Sequence, residues 1–342
     1  MTGFVLSFGI AFAVSALAGL IIIPVLRKLK AGQSIREDAP ERHKSKTGTP
    51  TVGGVIFMAG ILAAILIQGA DELKRGEPTH LYIFAFALIF GFIGFLDDLE
   101  KLRRKQNLGL SAGQKLLLQL AVAVAFVLLM RHSGNTTPNL YIPFVNKTLI
   151  LPEPVYLVFA AFAIIAEVNA VNLTDGLDGL CAGVTLPVML CFAAVAFVWN
   201  GSGGGARDFT AAGVFASASG GALLGFLLFN FHPAKVFMGD TGAQFLGGAV
   251  CALAFALDMP LILLVLGFIY LCETLSDVIQ VTCFKITRKL RGTGRRVFKM
   301  APVHHHLELS GWGEYRIFFT FTAVSVVCAA VSFLAVRGRW LI

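Results

Sequence analysis

Ten predominantly apolar stretches of 15 to 25 residues recur along this chain, and few folds can absorb them. They cover residues 4–26, 52–69, 81–96, 114–130, 155–172, 179–199, 210–229, 243–257, 260–284 and 315–336. A hydrocarbon core of about 30 Å takes roughly 20 helical residues, and inside it every backbone N–H and C=O must be satisfied within the segment. Windows of this length therefore predict a bundle of membrane-spanning helices. With 56% hydrophobic and only 14% charged residues, the chain is not a soluble domain. The first window is expected to be a retained helix and not a signal peptide, because its Lys/Arg cluster follows the apolar run.

Charge asymmetry sets the expected orientation. Loops after odd-numbered windows hold 20 of the 28 lysines and arginines, from Arg27 to Lys299. The opposite side holds Lys74, Arg75, Arg131, Lys147, Arg207, Arg337 and Arg339, with Arg316 opening the last window. The positive-inside rule then predicts ten transmembrane helices in one domain over residues 1–342, both termini outside. The six cysteines lack paired spacing and read as core residues. The glycine-rich stretch 201–205 reads as a flexible outer loop, and alternation around Asn146 predicts a small outer hairpin. The net charge of +8 fits attraction to anionic headgroups of membrane lipids, and no pattern for nucleic-acid binding accompanies it.

On this topology the polar clusters "IREDAPERHKSKTGTPTVGG", "GFLDDLEK", "NAVNLTDGLDGL", "NFHPAKVFMGDTG" and "MAPVHHHLELSGWGE" share the cytoplasmic face. Five clusters on one face point to a cleft, since carboxylates near hydrocarbon are costly. Asp97, Asp98, Asp175, Asp178 and Asp240 supply hard oxygen atoms of the kind that suit Mg²⁺ or Mn²⁺. Adjacent Asp97 and Asp98 should repel, and a divalent cation would relieve the repulsion. "GDTG" puts Asp240 between glycines at a helix start, where N–H groups favour anions, and Lys46 opens a similar segment. Asn169, Asn172 and Asp175 recur every three residues on one helical surface, and Gly176 and Gly179 are expected to end or restart that helix. In extended backbone, His304 and His306 would face one way and His305 the other. Three neighbours cannot all reach one zinc, which leaves a solvated loop, phosphate binding or acid–base work. Glu273 and Asp277, four residues apart, fit either the same cavity or a buried structural pair.

In this order the five motifs resemble the phospho-N-acetylmuramoyl-pentapeptide transferase family, within the polyprenyl-phosphate N-acetylhexosamine-1-phosphate transferases, from Gly32 to Glu314. "MAPVHHHLEL" carries the likeness to the muramoyl branch; the aspartate motifs are general. The resemblance implies an all-α ten-helix polytopic fold in the bacterial cytoplasmic (inner) membrane, a cytoplasmic active-site cleft, Mg²⁺ dependence and a homodimer. It implies transfer of phospho-N-acetylmuramoyl-pentapeptide from UDP-N-acetylmuramoyl-pentapeptide to undecaprenyl phosphate, giving lipid I and UMP. Asp97, Asp98 and Asp240 then match catalytic carboxylates, with Asp240 as metal ligand, and His304 and His305 match essential histidines. Lys46, Thr51, Asn172, Asp175, Gly176, Leu177, Asp178, Asn230, Phe237, Gln280 and Ala301 match substrate-binding positions, and His306 joins them through the histidine motif. Val52, Ala243 and Gln244 depart from the family pattern. The rival readings are a UDP-N-acetylglucosamine transferase on the same lipid, and a cation-coupled transporter, which would place its charges at the membrane midplane.

Overall fold

A computed structural model describes residues 2–29, 46, 48–104, 109–201, 208–336 and 339. The glycine-rich stretch after Gly201 and much of the first basic loop, with Lys30, Arg36, Arg42 and Lys44, lie outside the described residues, as do Lys105, Arg207 and Arg337. The order is α1 (Thr2–Lys28), α2 (Gly54–Gln68), short α3 (Ala70–Lys74), α4 (Thr79–Arg104) and α5 (Ala112–His132), then β1 (Asn139–Ile142) and β2 (Lys147–Ile150). There follow α6 (Glu153–Thr174), α7 (Leu180–Gly201), α8 (Thr210–Asn230), α9 (Gly239–Ala256), α10 (Leu263–Leu266), α11 (Phe268–Arg291), α12 (Val303–Glu308) and α13 (Glu314–Ala335).

Each of the ten apolar windows falls on helix. Among the described residues, α1, α4, α5, α6, α7, α8 and α13 are long and apolar enough to cross a membrane, and the α10–α11 pair makes an eighth if taken as one span. This is an all-α polytopic bundle. The fifteen residues of α2 rise only about 22 Å. In α9 every residue except Asp240 is buried, so protein and not lipid surrounds it.

The ninth window is not one straight helix: it bends by 79° between α10 and α11. Gly267 stands at the break, and a Cβ there would lie 2.7 Å from the Leu263 carbonyl and 2.8 Å from Glu167 Oε1. The hairpin forms as expected, with Tyr141 opposite Thr148, and Asn146 takes a positive φ of 52° in its turn.

Close packing sets α9 against its neighbours. A Cβ on Gly94 of α4 would lie 2.1 Å from the Asp240 carbonyl, and one on Gly54 of α2 would lie 2.4 Å from Gly242 Cα. Small residues permit this approach, which is how helices associate where lipid offers no hydrophobic drive. An amide chain adds a polar tie: Asn169 donates to Gln119 Oε1 (2.8 Å), and Gln119 donates to Gln244 Oε1 (3.1 Å). It joins α6, α5 and α9, and it gives buried Gln244 a structural partner.

Gly94→Ala forces α4 and α9 apart and is expected to cost about 1–3 kcal/mol. Thermal unfolding in detergent should show a lower Tm for this variant, while Gly9→Ala, whose Cβ meets nothing within 4 Å, leaves Tm unchanged.

Candidate active site

Asp97 and Asp98 lie near the end of α4, about 100° apart around the helix, so their carboxylates diverge. Asp97 Oδ1 accepts from Leu110 N (2.8 Å), and Oδ2 lies 2.7 Å from Lys101 Nζ, one turn on. Asp98 reaches α9: Oδ1 accepts from Asp240 N (3.2 Å), and Oδ2 accepts from Thr241 N (2.9 Å) and Thr241 Oγ1 (2.7 Å). Since α9 has no side-chain cap of its own, Asp98 supplies one from another helix. A lysine thus lies against one of the two carboxylates and a helix N-terminus against the other.

Asp240 completes the cluster. Its Oδ2 lies 2.7 Å from Lys101 Nζ and 3.6 Å from Lys115 Nζ, and its Oδ1 accepts from Asn172 Nδ2 (2.9 Å). Gly239 holds φ at 70°, and a Cβ there would meet Thr51 Oγ1 at 2.6 Å and Asp98 Oδ2 at 2.7 Å. The backbone of 50–54 pairs with 237–238 through Phe237 N to Pro50 O, Gly53 N to Phe237 O and Gly54 N to Met238 O. The starts of α2 and α9 consequently lie side by side, which sets Thr51 and Asp98 against Gly239.

This donor set fits a hard cation. Lys101 Nζ stands 2.7 Å from both Asp97 Oδ2 and Asp240 Oδ2, a cation between two carboxylates as Mg²⁺ would be, and Asn172 offers a further oxygen. The Asp240 side chain is 20% exposed, against 6% for Asp97 and 2% for Asp178, which makes it the accessible ligand. Asp178, His232 and Glu314 also have ligand atoms within 4.8 Å of one another. That second group suits Mg²⁺ less well because it includes an imidazole nitrogen.

The loop after α6 forms the neighbouring wall. The helix ends at Thr174 with Asp175 at its C-cap, and Gly179, at φ 73°, lets α7 begin at Leu180, as expected. Half-buried Asp175 has its pKa pushed up by burial, and next by the negative fields of Asp240, Asp98 and Asp178. Asp178 Oδ1 accepts from Lys46 Nζ (2.8 Å), and Oδ2 accepts from Ala234 N (3.0 Å) and lies 2.8 Å from His232 Nδ1. Burial alone would raise the Asp178 pKa, but Lys46, Ala234 and His232 hold it below the ordinary 3.8. Its stabilising effect is thus complete above pH 3.8 and is lost only as pH falls through the lower folded value. A cavity of about 500 Å³ opens here, lined by Lys46, Thr49, Asp178, His232, Ala234 and Tyr315 among others.

The histidines do not lie in extended backbone; they form helix α12, which starts after Pro302. The two-sided arrangement is replaced by three separate environments. Buried His304 pairs through Nδ1 with Glu273 Oε2 (3.0 Å), and a Cβ on Gly176 would lie 2.1 Å from its Nε2. It therefore packs behind the 175–178 loop, which resolves Glu273 as its structural partner. His305 Nδ1 lies 2.7 Å from Glu308 Oε2, and its ring centroid lies 4.1 Å from that of His304. His306 Nδ1 accepts from Lys299 N (3.1 Å), and its ring stands edge-on to Phe298.

Other expected site residues take varied places. Leu177 is buried, while Phe237 and Ala301 are half-buried. Buried Asn230 donates to Val236 O (2.9 Å) and closes the turn before α9. Gln280 spends its amide on a return strand: Oε1 accepts from Val297 N (2.9 Å) and Phe298 N (3.0 Å), and Nε2 donates to Phe298 O (3.1 Å). Asn169 leaves its series for the amide chain, whereas Asn172 stays with Asp240. Sequence reasoning missed Lys101, Lys115, Thr241, His232 and Glu314 as site residues. Lys101 had a legible signal, its i, i+4 spacing from Asp97.

Residues 80–258 match the profile of Glycosyl transferase family 4. The chain is 43% identical over 330 residues to the phospho-N-acetylmuramoyl-pentapeptide-transferase of Clostridium acetobutylicum, covering 95% of this chain and 96% of that one. It is 45% identical over 325 residues to the protein of that name from Clostridium beijerinckii (95% and 94% covered). With that of Oceanobacillus iheyensis the identity is 43% over 330 residues, 96% of each chain.

Asp98→Ala strips the cap from α9 and is expected to cost about 1–3 kcal/mol. Thermal unfolding in detergent should place Asp98→Asn, which keeps one acceptor, between wild type and the alanine variant.

Proposed function

The chain belongs to the phospho-N-acetylmuramoyl-pentapeptide-transferase family, and from that premise we propose that its Asp240 site moves phospho-N-acetylmuramoyl-pentapeptide from a UDP ester to undecaprenyl phosphate, releasing UMP. The observation that carries this reading is the meeting of Asp97, Lys101, Lys115, Asn172 and Asp240 in one charge-compensated, open-sided cluster drawn from α4, α5, α6 and α9. The 175–178 loop joins it to the Lys46 pocket, which takes the nucleotide.

In the reaction, an oxygen of the lipid phosphate attacks the sugar-bearing phosphorus. One P–O–P linkage forms as another breaks, and the electron pair leaves with UMP. The exchange is near balance, so the site's task is to lower the barrier between two anions. A phosphomonoester carries about −1.5 to −2 charge at neutral pH, so the acceptor is largely ionised and needs little help from a base. Lys101 and Lys115 offset that charge as it approaches. Asp240, with Asp97 and Asn172 as further oxygen donors, would hold Mg²⁺, which when bound would supply Lewis-acid neutralisation of the diphosphate. Asp97, tied to Lys101 and Leu110, aligns the acceptor. His304 fixes the 175–178 loop from behind, with its ring against Gly176. A phospho-aspartate at Asp98 is disfavoured because both of its oxygens hold the start of α9, which supports direct displacement.

This is an integral membrane protein. The same reading has ten crossings with both termini outside, the Asp240 cleft facing the cytoplasm of a bacterial inner membrane, and a homodimer on the strength of the family likeness. In this reading short α2 crosses packed against α1, α8 and buried α9, and the bent α10–α11 pair crosses packed against α13 and α6.

The test is UMP release by detergent-purified protein given undecaprenyl phosphate, Mg²⁺ and either UDP-N-acetylmuramoyl-pentapeptide or UDP-N-acetylglucosamine. Release with only the muramoyl substrate is expected. Release with only the glucosamine substrate moves the specificity to the rival transferase, and release with neither contradicts the reading. Asp240→Asn is expected to lose at least about 100-fold in kcat with Tm unchanged.

A further inference from the structure

The Lys46 side chain in the nucleotide pocket is held by two carboxylates. Its ammonium lies 2.8 Å from Asp178 Oδ1 and 2.7 Å from Glu314 Oε2. His232 Nδ1 lies 2.8 Å from Asp178 Oδ2 and 3.3 Å from Glu314 Oε2, so one imidazole edge faces both carboxylates. The ring is fixed in turn by Tyr315, which stands edge-on at 5.1 Å and donates its hydroxyl to the His232 carbonyl (3.1 Å). These groups come from four distant parts of the chain: the segment before α2, the 175–179 loop, the turn before α9 and the first turn of α13.

A flexible lysine is a poor recognition element unless its ammonium is confined, because ordering its four-carbon stem costs conformational entropy on binding. Two carboxylates use two of its three N–H donors and leave the third for the pocket that Lys46 lines. Glu314 and Asp178 are themselves nearly closed to water, and His232 is the donor that bridges them. We infer that His232 and Glu314 are positioning residues for Lys46: with Asp178 they form a frame that presents its free N–H to the nucleotide. The inference rests on the nucleotide reading of this pocket, and it gives a role to two residues of "NFHPAKVF" and "GWGEY" that the transfer chemistry does not use.

A residue that acts through Lys46 loses its effect once Lys46 is gone, whereas one that merely supports the fold does not. The experiment measures KM for UDP-N-acetylmuramoyl-pentapeptide and kcat for His232→Ala, His232→Asn, Glu314→Ala and Glu314→Gln, each in the wild-type and Lys46→Met backgrounds. Tm is followed to verify folding. The alanine variants are expected to raise KM about tenfold in the wild-type background, with kcat within about twofold. His232→Asn, which keeps a donor, and Glu314→Gln, which keeps an acceptor, should recover most of that loss. In the Lys46→Met background all four should add nothing. A KM increase of the same size in both backgrounds, or no increase in either, overturns the inference while leaving the nucleotide pocket in place. Unchanged KM in Lys46→Met itself contradicts the placement of the nucleotide, and the inference falls with it.

Discussion

A carboxylate withdrawn from water has to be met by a cation or by N–H groups, and at the end of this bundle that demand ties the helices together. Among the described residues Asp98 accepts from Asp240 and Thr241 at the start of α9, so it fixes where α9 starts relative to α4. That contact places Asp240 over Lys101, and Lys101 in turn neutralises Asp97. Gly94, Gly239 and Gly54 are the steric side of the same arrangement, since each lets backbone come within the reach of these short side chains. The cluster holds helices through Asp98 and leaves the Asp240 side chain partly exposed.

Two compensated clusters thus flank the 175–178 loop. On one side Lys101 and Lys115 balance Asp97 and Asp240; on the other Lys46 is shared by Asp178 and Glu314, with His232 beside both. An ammonium has three N–H donors, so each lysine can meet a phosphate oxygen while it keeps its carboxylates. The site is thereby stable without substrate and suited to a reaction between two anions.

Much of this was legible in the sequence because hydropathy and length dictate helices in a membrane whatever their neighbours do. All ten apolar windows became helix, and the Gly176–Gly179 break and the Asn146 hairpin followed local backbone chemistry. What stayed hidden depended on pairings across the chain. The break at Gly267 adjoins Glu167 of another helix, and Asn169 was drawn from its own series by Gln119. The histidines read as extended because nothing local shows that Glu273, 31 residues away, takes His304 into the interior. His232 and Glu314 gave no signal for the same reason.

The claim that Asp240 is the accessible, metal-binding carboxylate, with Asp98 a structural cap, is tested most directly by Mn²⁺ binding to purified protein followed by electron paramagnetic resonance. The account predicts that bound Mn²⁺ disappears in Asp240→Asn and persists in Asp98→Asn. Binding that survives Asp240→Asn, or that vanishes only when Asp178 is replaced by Asn, would contradict it.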